Sequence, residues 1–206
     1  PKNGQVDHSE PTENEEKMLH TVIGVNEDVT QKAKEAYHNM SENPEEYHRV
    51  TGRLLGFPKC CVEKFIERFH NRQIKRPVYE AACNTETAEA VDGDNEVVKL
   101  SSPSPFTNKF YGAMDLGFIY HHPCSFDCKQ SIEIGKHKKR IMENNGHEDT
   151  ANKILDWLRS PTTARIQNYK MVMKNNYATV TTDGCGYESE KRIIWKEKPT
   201  PGSSNT

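Results

Sequence analysis

The sequence has no long apolar run. Nothing in it approaches the ~20 residues that a bilayer-spanning helix needs, so no membrane segment is expected. The N-terminal stretch also lacks the apolar core of a secretory leader. The chain starts at Pro1 rather than Met, which leaves room for a removed upstream segment. Apolar residues are scarce, at 33% of the chain. Ordinary globular chains carry roughly 45–50%, so only part of the 206 residues can line a core. An excess of either charge is missing too, with 28 basic side chains facing 30 acidic ones for a net charge of -2. That balance argues against a dedicated nucleic-acid binder, although RNA contact through a local patch stays open. No nucleotide fingerprint, complete nucleophile–base triad or internal repeat is found. The Asp183-Gly184-Cys185-Gly186 turn is not a phosphate loop, because it lacks the Lys-Ser/Thr ending.

Cysteine is present but sparse. Six cysteines are too few for a disulfide scaffold. Without a secretory leader, the expected setting is a reducing, cytoplasmic one, where clustered cysteines read as metal-binding or catalytic.

The polar composition is concentrated at the ends. Residues 1–20 read as a solvated acidic tail and 197–206 as a second tail, since neither can offset the entropy of ordering. Between them, 21–196 reads as a single mainly helical domain of the α+β class. Asn26 or Asp28 caps a first helix, and Pro44 opens a second that ends before Gly56. Pro58 opens a third helix through Arg68 or Phe69, and Pro77 a fourth carrying Ala81, Ala82 and Cys83. Residues 84–108 read as a loop excursion, with Val97–Leu100 as a short edge strand. A helix is expected from near Ser125 to Glu143, and another through Trp157 and Leu158. The β-branched runs at 177–182 and 192–195 predict a small C-terminal β-hairpin.

Chemistry concentrates in two patches, Leu54-Leu55-Gly56-Phe57-Pro58-Lys59-Cys60-Cys61-Val62-Glu63-Lys64-Phe65 and His121-His122-Pro123-Cys124-Ser125-Phe126-Asp127-Cys128. Each is expected at a helix N-terminus, where backbone N–H groups and the dipole lower a thiol pKa. Converging, they would present Cys60, Cys61, Cys124 and Cys128 to one centre, either zinc or an iron–sulfur cluster. Vicinal cysteines are awkward for a tetrahedral zinc knot, because a regular helix points them about 100° apart, and this favours a cluster. Ser131 stands where a radical S-adenosylmethionine motif would need its third cysteine, which rules that motif out. His121 and His122 are positioned as ligands, proton carriers or donors to a thiolate.

Two rival readings accompany the metal centre. Cysteine is among the most buried residue types, and Cys61 and Cys83 lie in apolar contexts that suit purely structural packing in a binding or assembly subunit. Alternatively, a pair of patch cysteines forms a redox-active dithiol. Lys129, Lys136, Lys138, Lys139 and Arg140 form a basic run that would meet an anionic partner, or simply a solvated helix face.

The two patches together resemble a mainly archaeal family of unknown function with paired L-G-[YF]-P-x-C-C and H-x-P-C-x3-C motifs. The matching residues are Leu55, Gly56, Phe57, Pro58, Cys60 and Cys61, then His121, Pro123, Cys124, Cys128 and Ser131. The resemblance implies an intracellular protein in which the patches act jointly. It names neither a reaction nor a metal.

Overall fold

Two asparagines start the first helices. In the computed structural model, which describes residues 23–70, 77–91, 94–112, 115–167, 170–175, 179–182 and 191–196, helix α1 (Glu27–His38) follows Asn26. The Asn26 side chain accepts a 2.9 Å bond from the Val29 N–H. Helix α2 (Pro44–Leu54) follows Asn43, whose side chain accepts from the Glu46 N–H at 3.1 Å. Each cap satisfies a donor with no partner inside its helix. Gly56 closes α2 at φ +72°, a conformation that favours glycine. Helix α3 (Lys59–His70) then opens one residue later than Pro58 suggests.

The chain divides into two compact units, Pro1–Ile66 and Glu67–Thr206. The boundary falls inside α3. In the first unit, α1 and α2 meet through the edge-to-face pair Tyr37 and Tyr47, with centroids 6.5 Å apart. Helix α2 packs on the start of α3 at Gly52, where an added Cβ would stand 2.6 Å from Val62 Cγ2. Arg49 reinforces this contact, with Nε 3.1 Å from Glu63 Oε1 and Nη1 2.8 Å from Glu46 Oε2.

The second unit continues through α4 (Pro77–Cys83), β1 (Ala88–Val91), β2 (Asp94–Ser101) and a 3-10 turn at Pro105–Thr107. Then follow α5 (Lys129–Asn144), α6 (Glu148–Arg159), β3 (Thr162–Gln167), β4 (Lys170–Asn175), β5 (Thr179–Thr182) and β6 (Lys191–Lys196). The class is thus mainly α with a β component, but that component exceeds a hairpin. Among the described residues, six strands form one sheet in the order β1-β2-β6-β3-β4-β5. The C-terminal runs are strands, as expected, yet they are not partners: β5 pairs with β4, and β6 lies between β2 and β3. Residues 84–108 are likewise no structureless excursion. They hold β1, β2 and the 3-10 turn, and Val97–Leu100 belongs to an interior strand, parallel to β6 on one side and antiparallel to β1 on the other.

The inward face shows why these runs pair as they do. Val98 and Leu100 of β2, Ala164 of β3, and Ile193 and Trp195 of β6 alternate along their strands and are all buried. Trp195, Phe110 and Phe126 form an edge-to-face triad with centroids 5.3 to 5.8 Å apart. That triad ties the second cysteine patch to the core, because Phe126 lies between Cys124 and Cys128. Helix α5 approaches the 3-10 turn closely at Gly135, where a Cβ would meet Phe106 Cβ at 2.8 Å and Phe106 O at 3.0 Å.

Candidate metal centre

The first patch occupies the opening turn of α3. The N–H groups of Cys61 and Val62 both donate to Pro58 O, at 2.9 and 3.0 Å, and close that turn. Cys60 is exposed and Cys61 buried, yet their sulfurs stand 4.0 Å apart. Adjacency therefore does not separate them: the Cα atoms differ by about 100° around the axis, but side-chain rotation brings the sulfurs together.

The second patch is a loop leading into α5, not a helical turn. The helix begins at Lys129 rather than near Ser125, with Cys128 in the N-cap position and no side-chain cap bond. Polar groups after α4 hold the loop in place. Asn84 Nδ2 donates to Cys124 O at 3.1 Å, and Thr85 Oγ1 accepts from the Phe126 N–H at 3.0 Å. Asp127 Oδ2 accepts from the Glu86 N–H at 2.7 Å. Thr107 Oγ1 donates to Phe126 O at 2.6 Å from the 3-10 turn. Sequence reading missed Asn84, Thr85 and Thr107, because their partners are backbone groups far along the chain. The only signal was a concentration of Asn and Thr in a segment that looked like a loop.

The ligand atoms of Cys60, Cys61, Cys124 and Cys128 all lie within 4.8 Å of one another. Four soft sulfur donors so spaced are compatible with metal binding. Cys61, which suits structural packing on sequence grounds, belongs to the group even though it is buried. Cys83 is exposed at the end of α4, against the expectation that it packs inside, and Ala81 and Ala82 beside it take the buried positions. Cys185 lies outside the described residues.

Neither His121 nor His122 belongs to the ligand group. His121 is buried, and its Nε2 stands 2.8 Å from Ser131 Oγ. Ser131 Oγ in turn donates to Cys128 Sγ at 3.4 Å. Burial pushes the His121 pKa down to about 4, with Lys109 and Lys138 adding to the shift and Cys128 opposing it. His122 is also pushed down to about 4, first by burial and then by Lys109, Arg68 and His121. Its Nδ1 is buried without a hydrogen-bond partner among the described residues.

Cations surround this segment. Lys109 Nζ donates to Ile119 O at 3.1 Å and lies 3.4 Å from Tyr120 O. Its pKa is lowered by burial and by Lys138. Lys138 Nζ sits 3.8 Å from the centroid of the Tyr120 ring, a cation–π contact. Arg68 is buried and faces Glu80. Of the basic run on α5, Lys136 pairs with Glu133 at 2.8 Å and Lys139 pairs with Glu143. Lys129 and Arg140 are exposed, so the anionic-partner surface is partly neutralised by its own helix.

No described helix is long and apolar enough to cross a membrane. No protein-family model, curated protein or solved structure matches the chain.

Proposed function

We propose that the protein binds a single metal ion, zinc by the character of the donors, through the thiolates of Cys60, Cys61, Cys124 and Cys128. The spacing of the four ligand atoms, none more than 4.8 Å from another, carries this reading. Metal–sulfur bonds of about 2.3 Å put the sulfurs of a tetrahedral site roughly 3.8 Å apart. Drawing in the widest pair by about an ångström therefore completes the cage. An iron–sulfur cluster distributes its cysteines over several irons and needs them spread more widely, so the spacing favours one ion. Helix N-termini and nearby cations support the thiolate form. Cys60 and Cys61 lie in the first turn of α3 and Cys128 occupies the N-cap position of α5, helix starts where the dipole favours negative charge. Four thiolates around a dication leave a net charge of about -2, and Lys109 and Lys138 supply opposite charge near His121, which also feels Cys128.

A redox pair made of Cys60 and Cys61 is the weaker reading. Adjacent Cα atoms are only about 3.8 Å apart, below the usual span of a disulfide, so that bond would be strained. On the metal reading, the resemblance of both patches to a mainly archaeal family supports only their joint function.

Metal analysis and an absorption spectrum of protein purified without oxygen test the proposal. The expected result is about one equivalent of zinc and no visible colour. Cys124→Ser should lose the metal, whereas Cys83→Ser should keep it. Brown protein containing iron and sulfide would replace the single ion with a cluster. Metal-free protein with six titratable thiols would overturn both.

A further inference from the structure

Ser131 sits in the first turn of α5 with none of its surface exposed. A serine inside a helix commonly turns its hydroxyl back to a carbonyl one turn earlier. This hydroxyl reaches two functional side chains, Cys128 Sγ at 3.4 Å and His121 Nε2 at 2.8 Å. A serine hydroxyl carries one proton. With that proton directed at sulfur, the bond to His121 must be supplied by the ring, so Nε2 carries hydrogen and donates to Ser131 Oγ. The chain of donation then runs in one direction, from His121 Nε2–H to Ser131 Oγ and from Ser131 Oγ–H to Cys128 Sγ. It ends on a sulfur that is itself buried.

We infer that Ser131 is a positioning residue of the metal centre. Its hydroxyl, oriented by His121, donates to Cys128 Sγ and holds that thiolate facing the other three sulfurs. The inference rests on the metal reading above and gives His121 a role without making it a ligand. A hydroxyl bond to a ligating thiolate occupies one lone pair and leaves others for the ion. It also removes part of the cost of keeping a buried sulfur anionic. Partners of this outer kind typically change metal affinity by about 10–100-fold when removed.

The test uses the reduced full chain. Co2+ titration reads thiolate coordination through its charge-transfer absorption, and competition with a chelator reads Zn2+ affinity. Ser131→Ala should bind Zn2+ about 10–100-fold more weakly at unchanged stoichiometry. His121→Phe should behave the same way. His121→Gln, whose amide N–H can still donate to Ser131, should recover much of the affinity. If Ser131→Ala fails to fold, the His121→Gln and His121→Phe pair decides the question. Wild-type Zn2+ affinity in Ser131→Ala, or equal affinities in the two His121 variants, would overturn the positioning role and leave the metal reading standing. Failure of the wild-type protein to take up either metal would remove both.

Discussion

Two residues with similar local contexts have opposite fates at the residue scale. Cys61 on an apolar stripe and Cys83 after two alanines both read as packing residues, but Cys61 joins the four-sulfur group and Cys83 is exposed. Helix phase alone does not separate them, because burial depends on what packs against each face. Gly135 makes the same point sterically. Replacing glycine with alanine inside a helix ordinarily helps by up to about 1 kcal/mol. Here the new methyl would meet Phe106 Cβ at 2.8 Å and its backbone oxygen at 3.0 Å, and the backbone oxygen cannot swing away. Gly135→Ala is therefore expected to lower stability by about 1–2 kcal/mol, measured as a lower urea midpoint at constant slope. An unchanged or raised midpoint would show that α5 can shift away from the 3-10 turn.

The loop of the second patch is fixed at the element scale by the turn after α4, a role the sequence does not suggest. Thr85, just past α4, donates to Ala81 O at 2.7 Å and accepts from the Phe126 N–H. Thr85→Val keeps the shape and leaves the Phe126 N–H without that acceptor. The expected loss is about 1–3 kcal/mol of stability, together with weaker Zn2+ binding, because Phe126 lies between the two cysteines of the loop. Denaturant unfolding and chelator competition on the same variant check the pairing of the two effects. Lost stability with intact affinity would separate the loop anchor from the site. The sheet carries the same lesson. The strand runs at 177–182 and 192–195 were legible from their β-branched residues, but their partners were not. A strand's side-chain pattern reports which face is buried, not which neighbour supplies the hydrogen bonds.

At the scale of the whole molecule, the two low-pKa histidines predict how stability varies with pH. Above pH ~6.5 His121 and His122 are neutral in both folded and unfolded chains. As pH falls below that value the unfolded chain takes up protons, whereas the folded one resists until about pH 4. Stability of the metal-free protein should therefore fall as pH drops from about 6.5 to about 4, with no further loss from these residues below that. Glu63, held below the usual carboxylate range by its hydrogen bond to Arg49, adds its own loss only at the acid end. Urea midpoints at pH 7 and pH 5 read the histidine window, and His122→Gln should narrow the difference. Equal midpoints in the wild-type protein would mean that both rings protonate freely in the fold.

The amino-acid sequence by itself determined the local punctuation and the donor set. Asn26, Pro44 and Gly56 act within one helical turn of themselves, so their effects are legible without any knowledge of the rest of the chain. The choice of thiolate chemistry was legible too, because the residue types alone decide what a site can bind. Tertiary structure decided that all four sulfurs converge, that the second patch is an anchored loop rather than a helical turn, and that β6 lies between β2 and β3. It also turned Ser131 from a missing cysteine into a hydrogen-bond donor to Cys128. Cys61 and Cys124 are far apart along the chain. Contacts at that distance are set by which surfaces pack together across the whole fold, and no short-range pattern of residues encodes them.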